Sequence, residues 1–93
     1  MNKSELVTQV ATKTGQPTKV VSTVVEAIFE SITQTVAAGG SAAFVGFGTF
    51  APVERPARPG RNPQTGEPLH LPARTVPKFS PGSNFKAKVK NGG

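Results

Sequence analysis

The chain has no cysteine, tryptophan or tyrosine, and only five of its 93 residues are acidic. Without cysteine, neither a disulfide nor a thiolate metal site can support the fold. With one histidine and five scattered carboxylates, the sequence also lacks a cluster of metal ligands and a nucleophile paired with a general base. These absences predict that the protein is not an enzyme and that it holds no metal and no other cofactor.

Long apolar runs are also missing. No apolar segment approaches the roughly 18 residues that a membrane-spanning helix needs. The opening MNKSELVTQV has no apolar signal core. The absence of cysteine agrees with a reducing cytosol. We therefore predict a soluble, intracellular protein that does not bind membranes.

Negative charge is scarce in one half of the chain only. Residues 1–50 carry three lysines and three glutamates, whereas residues 51–93 carry eight basic and two acidic residues, so the net charge of +6 lies in the second half. Such an asymmetry is typical of proteins that bind nucleic acid or an anionic membrane surface. The basic residues lie in a proline-rich segment and not on an amphipathic helix, which favours nucleic acid. A merely soluble, positively charged surface is the simpler alternative.

Apolar residues follow helical spacing in two segments of the first half. The first contains Leu6, Val7, Val10 and Ala11. Either Asn2 or Ser4 can cap its start, and Gly15 suits its end. The second opens at Pro17 and closes at Gly39–Gly40, and its apolar face comprises Val21, Val24, Val25, Ile28, Phe29, Ile32 and Val36. Because valine and threonine are mediocre helix formers, this helical hairpin must be stabilised by packing its apolar face against another surface.

The segment SAAFVGFGTFAPV, residues 41–53, has a phenylalanine at every third position with glycines between. Short β-prone pieces interrupted by glycine predict strands joined by a tight bend. The Gly-Phe-Gly sequence resembles part of a nucleotide-binding loop, but it lacks a third glycine and the Gly-Lys-Ser/Thr of a P-loop. Core aromatics at a strand turn are the better interpretation.

Residues 51–78 contain no aromatic residue and seven of the nine prolines. At their centre, NPQTG is a turn signal, because Pro63 fixes φ and Gly66 can adopt a positive φ. The flanking residues predict a two-stranded β-arm that ends in a tight tip. Since prolines remove ladder donors and an isolated hairpin is marginal in water, we expect the arm to be flexible until a partner orders it.

The chain after the arm returns to the core. TVPKF predicts a strand that ends at Phe79, and SPGSNFKAKVK predicts a turn and a short helix capped by Ser83. The core then draws on roughly 60 residues, which is small for a stable monomer with so many apolar faces. We therefore predict an obligate dimer whose shared core contains Phe29, Phe44, Phe47, Phe50 and Phe79.

Arginines make the arm a candidate binding element. Arg55, Arg58 and Arg61 recur at every third residue, and Arg74 lies on the return strand. Strict alternation would place them on both faces, which suits an arm inside a phosphate-lined groove, and arginine is favoured in narrow minor grooves. Pro63 has the shape of the apolar wedges that kink DNA, although an ordinary turn proline is the alternative. The arm offers no aromatic ring for stacking single-stranded bases, which argues against single-strand binding and leaves structured or nicked duplexes, and RNA, as alternative ligands.

Four motifs together resemble the bacterial HU/IHF family of histone-like DNA-binding proteins: MNK at the start, VGFGTF at 45–50, GRNPQTGE at 60–67 and VPKFSPG at 76–82. The resemblance covers essentially the whole chain. It implies an α+β fold in which a helical hairpin body, a three-stranded antiparallel sheet, a long two-stranded β-arm and a short C-terminal helix form an intertwined dimer. It also implies one DNA-binding domain over residues 1–93, with the helical hairpin and first strands in 1–50, the flexible arm in 51–78 and the strand end and last helix in 79–93.

The function implied by the resemblance is architectural. Two arms of a homodimer would embrace duplex DNA in the bacterial nucleoid, largely without sequence preference, and would compact it. Pro63 would intercalate and bend the duplex. Nicked, kinked or four-way DNA is the expected preferred ligand. The other positions that match the family are Asn62, Gln64, Thr65 and Gly66 around the wedge, Arg55, Arg58 and Arg61 on the arm, Lys3 and Lys86 beside the DNA path, and Gly46 and Gly48, whose backbone would approach phosphates.

The chain also departs from the family. Ser80 and Ser83 stand where many members have lysines. The arm carries additional prolines at positions 52, 56, 59, 68 and 72, which either stiffen it or cost it ladder bonds. The MNK opening and the arm sequence favour HU, whose members are usually homodimers. A subunit of a site-specific IHF-type heterodimer is the alternative.

Overall fold

The computed structural model of the chain describes residues 1–92. These residues form three α-helices and five β-strands, which confirms the predicted α+β class. The elements are α1 (Lys3–Thr14), α2 (Thr18–Ala37), β1 (Ala42–Phe44), β2 (Gly48–Arg55), β3 (Arg58–Arg61), β4 (Pro68–Leu71), β5 (Arg74–Pro81) and α3 (Ser83–Lys90). The chain divides into two compact units, Met1–Gln34 and Thr35–Gly93.

Helix α1 begins and ends at residues that the sequence indicates. The Asn2 side chain accepts a hydrogen bond from the backbone N–H of Glu5 at 2.8 Å, so Asn2, and not Ser4, is the N-cap. Gly15 adopts the left-handed conformation with φ 72°. Its N–H donates to the carbonyl of Ala11 at 2.9 Å. A left-handed C-terminal residue satisfies one of the last free carbonyls of a helix, which is why glycine stands there.

The first unit buries very little. Ala11, Val21 and Val25 are its buried apolar residues, and Leu6, Val7 and Val10 pack against them. Val20, Val24, Ile28 and Phe29 remain about half exposed, between 45% and 51%. An apolar groove of about 410 Å³ runs between the two helices. Large contiguous apolar surfaces exposed to water usually mark a site of interaction with another molecule, so we expect this groove to be buried by a partner.

Helix α2 bears on one sequence expectation. It has 20 residues, and an 18-residue window within it has a mean hydropathy of 1.2, so by length and composition alone it is long and apolar enough to cross a membrane. The expectation concerned uninterrupted apolar runs, and for this reason it did not identify this helix. Threonines, two serines, a glutamine and two glutamates interrupt the apolar run, while the valines and isoleucines between them keep the mean hydropathy high. Core helices of soluble proteins pass the same test.

The second unit contains a three-stranded antiparallel sheet with the strand order β1-β2-β5, as predicted. Strands β1 and β2 are joined by a tight turn in which the N–H of Phe47 donates to the carbonyl of Phe44 at 3.0 Å. Gly46 occupies the third position of that turn with φ 82°. This positive φ is the one that a type II turn requires, and it explains the first glycine of the Gly-Phe-Gly sequence.

One face of the sheet carries an aromatic cluster, which consists of Phe44, Phe47, Phe50, Phe79 and Phe85. The ring centroids of Phe50 and Phe79, which are partners across β2 and β5, lie 4.7 Å apart. Phe85 extends from α3 to within 5.4 Å of Phe47 and 5.8 Å of Phe79. Contacts at these distances and tilts stabilise beyond the area they bury. The cluster therefore attaches the short C-terminal helix to the sheet.

Helix α3 starts differently from the prediction. Its N-cap is Gly82, and no side chain caps it, so the assignment of Ser83 as the cap is wrong. The N–H of Gly82 still donates to the carbonyl of Phe47 at 2.8 Å, and the helix follows at once. A Cβ atom at position 82 would lie 3.3 Å from the Phe47 backbone. The close approach of two backbones at this point thus leaves room for glycine and no side-chain cap.

Strands β2 and β5 continue into a two-stranded extension formed by β3 and β4. The pairing runs from Gly48↔Pro81 to Arg55↔Arg74 and resumes at Arg58↔Leu71 without a change of register. We call residues 48–55 with 74–81 the proximal hairpin, and residues 58–71 the distal hairpin. The predicted β-arm, residues 51–78, thus includes five residues of each sheet strand as well as the distal hairpin. The division of the chain into domains stays a prediction.

Candidate nucleic-acid interface

Two backbone hydrogen bonds fix the pairing of the long hairpin. The N–H of Gly82 donates to the carbonyl of Phe47, just outside the proximal hairpin, and the N–H of Asn62 donates to the carbonyl of Glu67 at 2.9 Å, just inside the tip. In an antiparallel ladder, hydrogen-bonded pairs alternate with pairs that exchange no hydrogen bond. Counting from each end therefore shows, for every pair in the two ladders, whether it is a hydrogen-bonded pair or one that exchanges no hydrogen bond.

The two ladders are out of phase. In the proximal hairpin the hydrogen-bonded pairs contain the odd-numbered residues of β2, the last of them being Arg55↔Arg74. In the distal hairpin they contain the even-numbered residues of β3, the first being Arg58↔Leu71. An uninterrupted ladder would not place hydrogen-bonded pairs three residues apart. Residues 56–57 and 72–73, which belong to no strand, absorb the difference, and we call them the break.

The prolines follow these phases. The four strand pairs that contain proline are Gly48↔Pro81, Pro52↔Pro77, Pro59↔His70 and Arg61↔Pro68. All four fall on pairs that exchange no hydrogen bond, and Pro56 and Pro72 lie in the break. Proline lacks an N–H but fixes φ. The expectation that prolines weaken the ladder is therefore wrong for these positions, where they restrict the chain without removing a ladder bond.

The tip, residues Asn62–Glu67, is held by its own polar groups. The Asn62 side chain accepts from the N–H of Gln64 at 2.9 Å, and the Thr65 hydroxyl accepts from the N–H of Glu67 at 3.3 Å. The N–H of Gly66, which has φ 74°, donates to the carbonyl of Asn62 at 2.7 Å. Such short side-chain bonds to nearby backbone define a turn. The structure therefore gives Asn62, Thr65 and Gly66 a turn-forming role beside the predicted DNA contacts.

Pro63 lies exposed at this tip, directly after Asn62. The bond that Asn62 accepts spans Pro63, so the proline ring is carried on a fixed turn. Gln64 is also exposed. The guanidinium of Arg61 donates to the carbonyl of Gly66 at 3.3 Å, which links the end of β3 to the far side of the tip.

All four arginines that the sequence indicates are exposed and belong to one hairpin. Arg55 and Arg74 face each other, whereas Arg58 lies opposite Leu71 and Arg61 opposite Pro68. Within residues 1–92 no ion pair involves any of them, since the one ion pair of that range joins Lys3 to Glu26. Their charge is therefore available to an external anion.

Lys78 is a basic residue of the hairpin that the sequence reasoning did not single out. It lies opposite Ala51 in a hydrogen-bonded pair. Arg74, four residues earlier on β5, also belongs to a hydrogen-bonded pair, in which its partner is Arg55. Because side chains alternate along a strand, Lys78 and Arg74 share one face of the proximal hairpin. The even spacing of the two residues along a predicted strand was the signal for this.

The predicted body positions are less uniform. Lys86 is exposed on α3 together with Lys88 and Lys90. Lys3 is exposed too, but its ammonium group lies 3.0 Å from a carboxylate oxygen of Glu26. Exposed ion pairs of this kind are weak and easily screened.

The two glycines of the Gly-Phe-Gly sequence have different surroundings. Gly46 is exposed in its turn, whereas Gly48 is buried. A Cβ atom at position 48 would lie 2.5 Å from the Phe79 ring and 2.7 Å from the carbonyl oxygen of Ser80. Packing of Phe79 therefore accounts for Gly48, and the expectation that the backbone of Gly46 and Gly48 approaches phosphates stays a prediction.

The predicted shared core is exposed in the single chain. Phe29, Phe44 and Phe47 are 43% to 47% exposed, and Phe50 and Phe79 are half-buried. Phe85 also belongs to the aromatic cluster and was missed. Its spacing of four residues from Val89, one helical step, was the available signal.

These features define an α+β chain with a basic, proline-rich hairpin, and comparison with known proteins places it. Residues 1–90 match the family described as bacterial DNA-binding protein. The chain belongs to this family. DNA-binding protein HU of Geobacillus stearothermophilus is 47% identical over 90 residues, which cover 97% of this chain and 100% of that protein. DNA-binding protein HU-beta of Pseudomonas aeruginosa is 46% identical over 89 residues, which cover 96% of this chain and 99% of that protein.

Solved structures agree with the sequence relatives. An Anabaena HU–DNA cocrystal structure matches with a TM-score of 0.92 and 46% identity over 96% of this chain and 97% of that one. HU from Thermotoga maritima matches with a TM-score of 0.69 and 36% identity over 96% of this chain and 98% of that one. The recognition of the HU/IHF family from the four motifs is thereby confirmed.

Proposed function

We propose that this protein is a histone-like architectural protein of the HU type, which binds duplex DNA through the minor groove and bends it. The observation that carries the proposal is the hairpin itself. It presents four exposed arginines that no carboxylate neutralises within residues 1–92, and it ends in an exposed proline on a fixed turn. The cocrystal structure of a relative with DNA supports the choice of ligand.

Binding is mainly electrostatic. Arginine side chains along a narrow ribbon can contact phosphates on both walls of a groove, and each neutralised phosphate releases counterions. Such contacts carry no sequence information, so the protein binds most sequences alike. Lys78 and the α3 lysines extend the basic surface beyond the arm.

Bending relies on Pro63. Apolar side chains inserted between base steps unstack them and kink the duplex, and a bent duplex then contacts more protein. A wedge must be rigid and exposed. Pro63 is exposed at the tip, and the hydrogen bonds of the tip hold its backbone in one conformation.

Two arms require two chains. The apolar groove of the first unit and the half-exposed phenylalanines leave more apolar surface in water than a stable monomer tolerates. A homodimer covers these surfaces and presents one arm per chain. A protein of this kind compacts the chromosome in the bacterial nucleoid and needs neither an enzyme activity nor a cofactor.

A mobility-shift series tests the proposal. Linear, nicked and four-way duplexes are titrated at several salt concentrations, with a duplex that carries a specific IHF-type site as the comparison. We expect a slope of log affinity against log salt of about −0.9 for each phosphate neutralised. We also expect tighter binding to the nicked and four-way duplexes than to the linear one. A flat salt dependence contradicts the proposal, and strong selection of the specific site identifies the IHF-type alternative.

The variant Pro63→Ala separates binding from bending. We expect it to bind linear duplex within about threefold of the wild type, because the arginine contacts remain. It should lose the preference for nicked duplex and the bend that energy transfer between labelled DNA ends reports. Pro68→Ala is the matched control, because Pro68 is an exposed arm proline opposite Arg61 for which no DNA contact is predicted. Unchanged bending by Pro63→Ala would exclude the wedge.

A further inference from the structure

Arg55 and Arg74 form a pair that differs from the other arginines. They lie directly opposite each other at the last rung of the proximal hairpin. The phase set by the Gly82–Phe47 hydrogen bond makes this a hydrogen-bonded pair, in which the two Cα atoms lie about 5.5 Å apart. Directly opposite residues project from the same face of the ribbon. Two guanidinium groups therefore leave the ladder side by side.

Two positive charges at this spacing are unfavourable without an anion. Like charges directly opposite in a sheet destabilise it. Within residues 1–92 no ion pair relieves either arginine. Glu54 is the adjacent carboxylate, but the pair Glu54↔Thr75 belongs to the other set of rungs, whose side chains leave the opposite face.

A cavity lies at the same place. It has a volume of about 330 Å³ and is lined by Glu54, Arg55, Pro56, Ala73, Arg74 and Thr75. These residues are the end of the proximal ladder and the start of the break on both strands. The cavity is therefore bounded by the two arginines, by the neighbouring rung Glu54↔Thr75 and by the first residues of the break on each strand.

We propose that Arg55 and Arg74 form a clamp that binds one phosphate group between them at the break. Guanidinium groups bind phosphate oxygens through paired, charge-assisted hydrogen bonds. The bound phosphate offsets the repulsion between the arginines and stabilises the last rung of the proximal hairpin, directly before the break. The inference deepens the proposed function, because a duplex backbone is one source of such a phosphate. A free oligophosphate is the other.

The remaining arm arginines provide the contrast. Arg58 faces Leu71 and Arg61 faces Pro68, so each is opposite an uncharged residue. Each therefore contacts a phosphate independently, whereas Arg55 and Arg74 share one. If the two arginines share one phosphate, the losses in DNA affinity of the two single variants should not add, because removal of either arginine destroys the same contact.

The first experiment is a double-mutant cycle. Arg55→Gln, Arg74→Gln and the double variant are titrated against a linear duplex by fluorescence anisotropy at several salt concentrations. We expect each single variant to lose about tenfold in affinity, as for one charged hydrogen-bonded contact. The double variant should lose no more than about threefold beyond that, because the shared contact is already gone. The salt slope should fall by about 0.9 in the double variant, as for one phosphate.

The matched control cycle combines Arg58→Gln with Arg74→Gln. These residues lie in different ladders and face no common anion, so their effects should multiply to about 100-fold. A loss of about 100-fold and a slope change of about 1.8 in the Arg55/Arg74 cycle would mean two separate phosphates and would overturn the clamp.

The second experiment uses the free protein and inorganic tripolyphosphate. The Nε–H resonances of the four arm arginines are followed by NMR, with chloride at equal ionic strength as the reference. We expect the resonances of Arg55 and Arg74 to move together and to saturate at one anion per chain, while Arg58 and Arg61 move less. Either single Gln variant, whose backbone spectrum also shows whether it is folded, should abolish the movement of the remaining arginine.

The two experiments distinguish the clamp from the proposed function. Saturation by tripolyphosphate in a protein that binds no duplex would support the clamp and contradict DNA binding. Joint movement with a duplex but not with tripolyphosphate would support the clamp and assign its phosphate to the duplex backbone. Equal, unsaturating shifts of all four arginines with both anions would overturn the clamp and leave DNA binding intact.

Discussion

The proximal and distal hairpins share one register, yet they are stabilised in different ways. The proximal hairpin is flanked by β1 and bears Phe50 and Phe79, which lie within the aromatic cluster. In the distal hairpin, Leu71 covers Gly60, and Leu69 is 43% exposed. The distal hairpin therefore depends on its ladder and on the bonds of its tip. The comparison teaches that prolines on pairs that exchange no hydrogen bond restrict the chain without breaking the ladder, so a two-stranded hairpin can extend beyond the aromatic core.

Truncation of an aromatic side chain should produce the largest difference between the two regions. Phe79 contacts Phe47, Phe50 and Phe85, so Phe79→Ala removes the centre of the cluster. We expect a loss of about 3 kcal/mol in the free energy of unfolding, at the low end for phenylalanine because the ring is only half-buried. Urea unfolding followed by circular dichroism at a fixed protein concentration measures it.

Leu69→Ala is the matched truncation in the distal hairpin. Because Leu69 is 43% exposed, the loss should stay below about 1 kcal/mol. If both variants lost the same amount, the distal hairpin would share the aromatic core, and the contrast between the regions would be wrong.

Proline substitution tests the phase of the ladders. Lys78 lies in a hydrogen-bonded pair with Ala51, whereas Thr75 lies opposite Glu54 on a rung that exchanges no hydrogen bond. We expect Lys78→Pro to cost about 2 to 3 kcal/mol of unfolding free energy, since it removes a ladder donor. Thr75→Pro should cost less than about 1 kcal/mol, because its N–H points away from β2 at the sheet edge. Thermal unfolding of both variants is the measurement.

Lys78→Ala controls for the loss of the lysine side chain. It should be close to neutral, as most exposed substitutions are. Equal costs for the two proline variants would mean that the phases assigned from the Gly82 and Asn62 hydrogen bonds are incorrect.

Much of this architecture follows from local sequence signals. The caps of α1, the turn glycine at position 46 and the NPQTG tip are each determined by a few neighbouring residues, so the sequence alone predicts them. The aromatic cluster is half predictable. Phe44, Phe50 and Phe79 lie on recognisable strands and Phe47 lies in the turn between two of them, but the inclusion of Phe85 depends on where α3 packs, which is a tertiary property.

The break could not be predicted without the register. The prolines at 52 and 56 are even-numbered and the one at 59 is odd-numbered, but this change has no meaning until each residue has a partner. Once the register is fixed, the parity of the prolines alone predicts a change of phase between 56 and 59. The opposition of Arg55 and Arg74 depends on the same information. The residue types alone do not show which residues of the two strands are partners, so neither the break nor the opposition of the two arginines could be predicted from the sequence.

Glycine substitutions extend the comparison to smaller effects. A Cβ atom at position 48 would collide with the Phe79 ring, whereas a Cβ at Gly66 would have nothing within 4 Å. We expect Gly48→Ala to cost about 2 kcal/mol, because the proximal core must shift. Gly66→Ala carries only the strain of its positive φ, about 1 kcal/mol, and this strain falls on the tip. Urea unfolding of the two variants measures the difference, and a larger cost at the tip would contradict the assignment of the core.

The smallest expected effect concerns the ion pair between Lys3 and Glu26. Both side chains are more than half exposed, at 55% and 59%, so the pair contributes at most about 0.5 kcal/mol to stability. Glu26→Gln should therefore leave the unfolding transition almost unchanged. If Lys3 contacts the duplex as the family resemblance implies, the same variant frees its ammonium group and should strengthen binding by about twofold to threefold at low salt. This advantage should disappear as salt screens the original pair. Anisotropy titrations at two salt concentrations measure this, with Glu30→Gln, one helical turn further along α2, as the control for the change in net charge. An equal gain from both variants would mean that the overall charge matters and that Lys3 has no contact of its own.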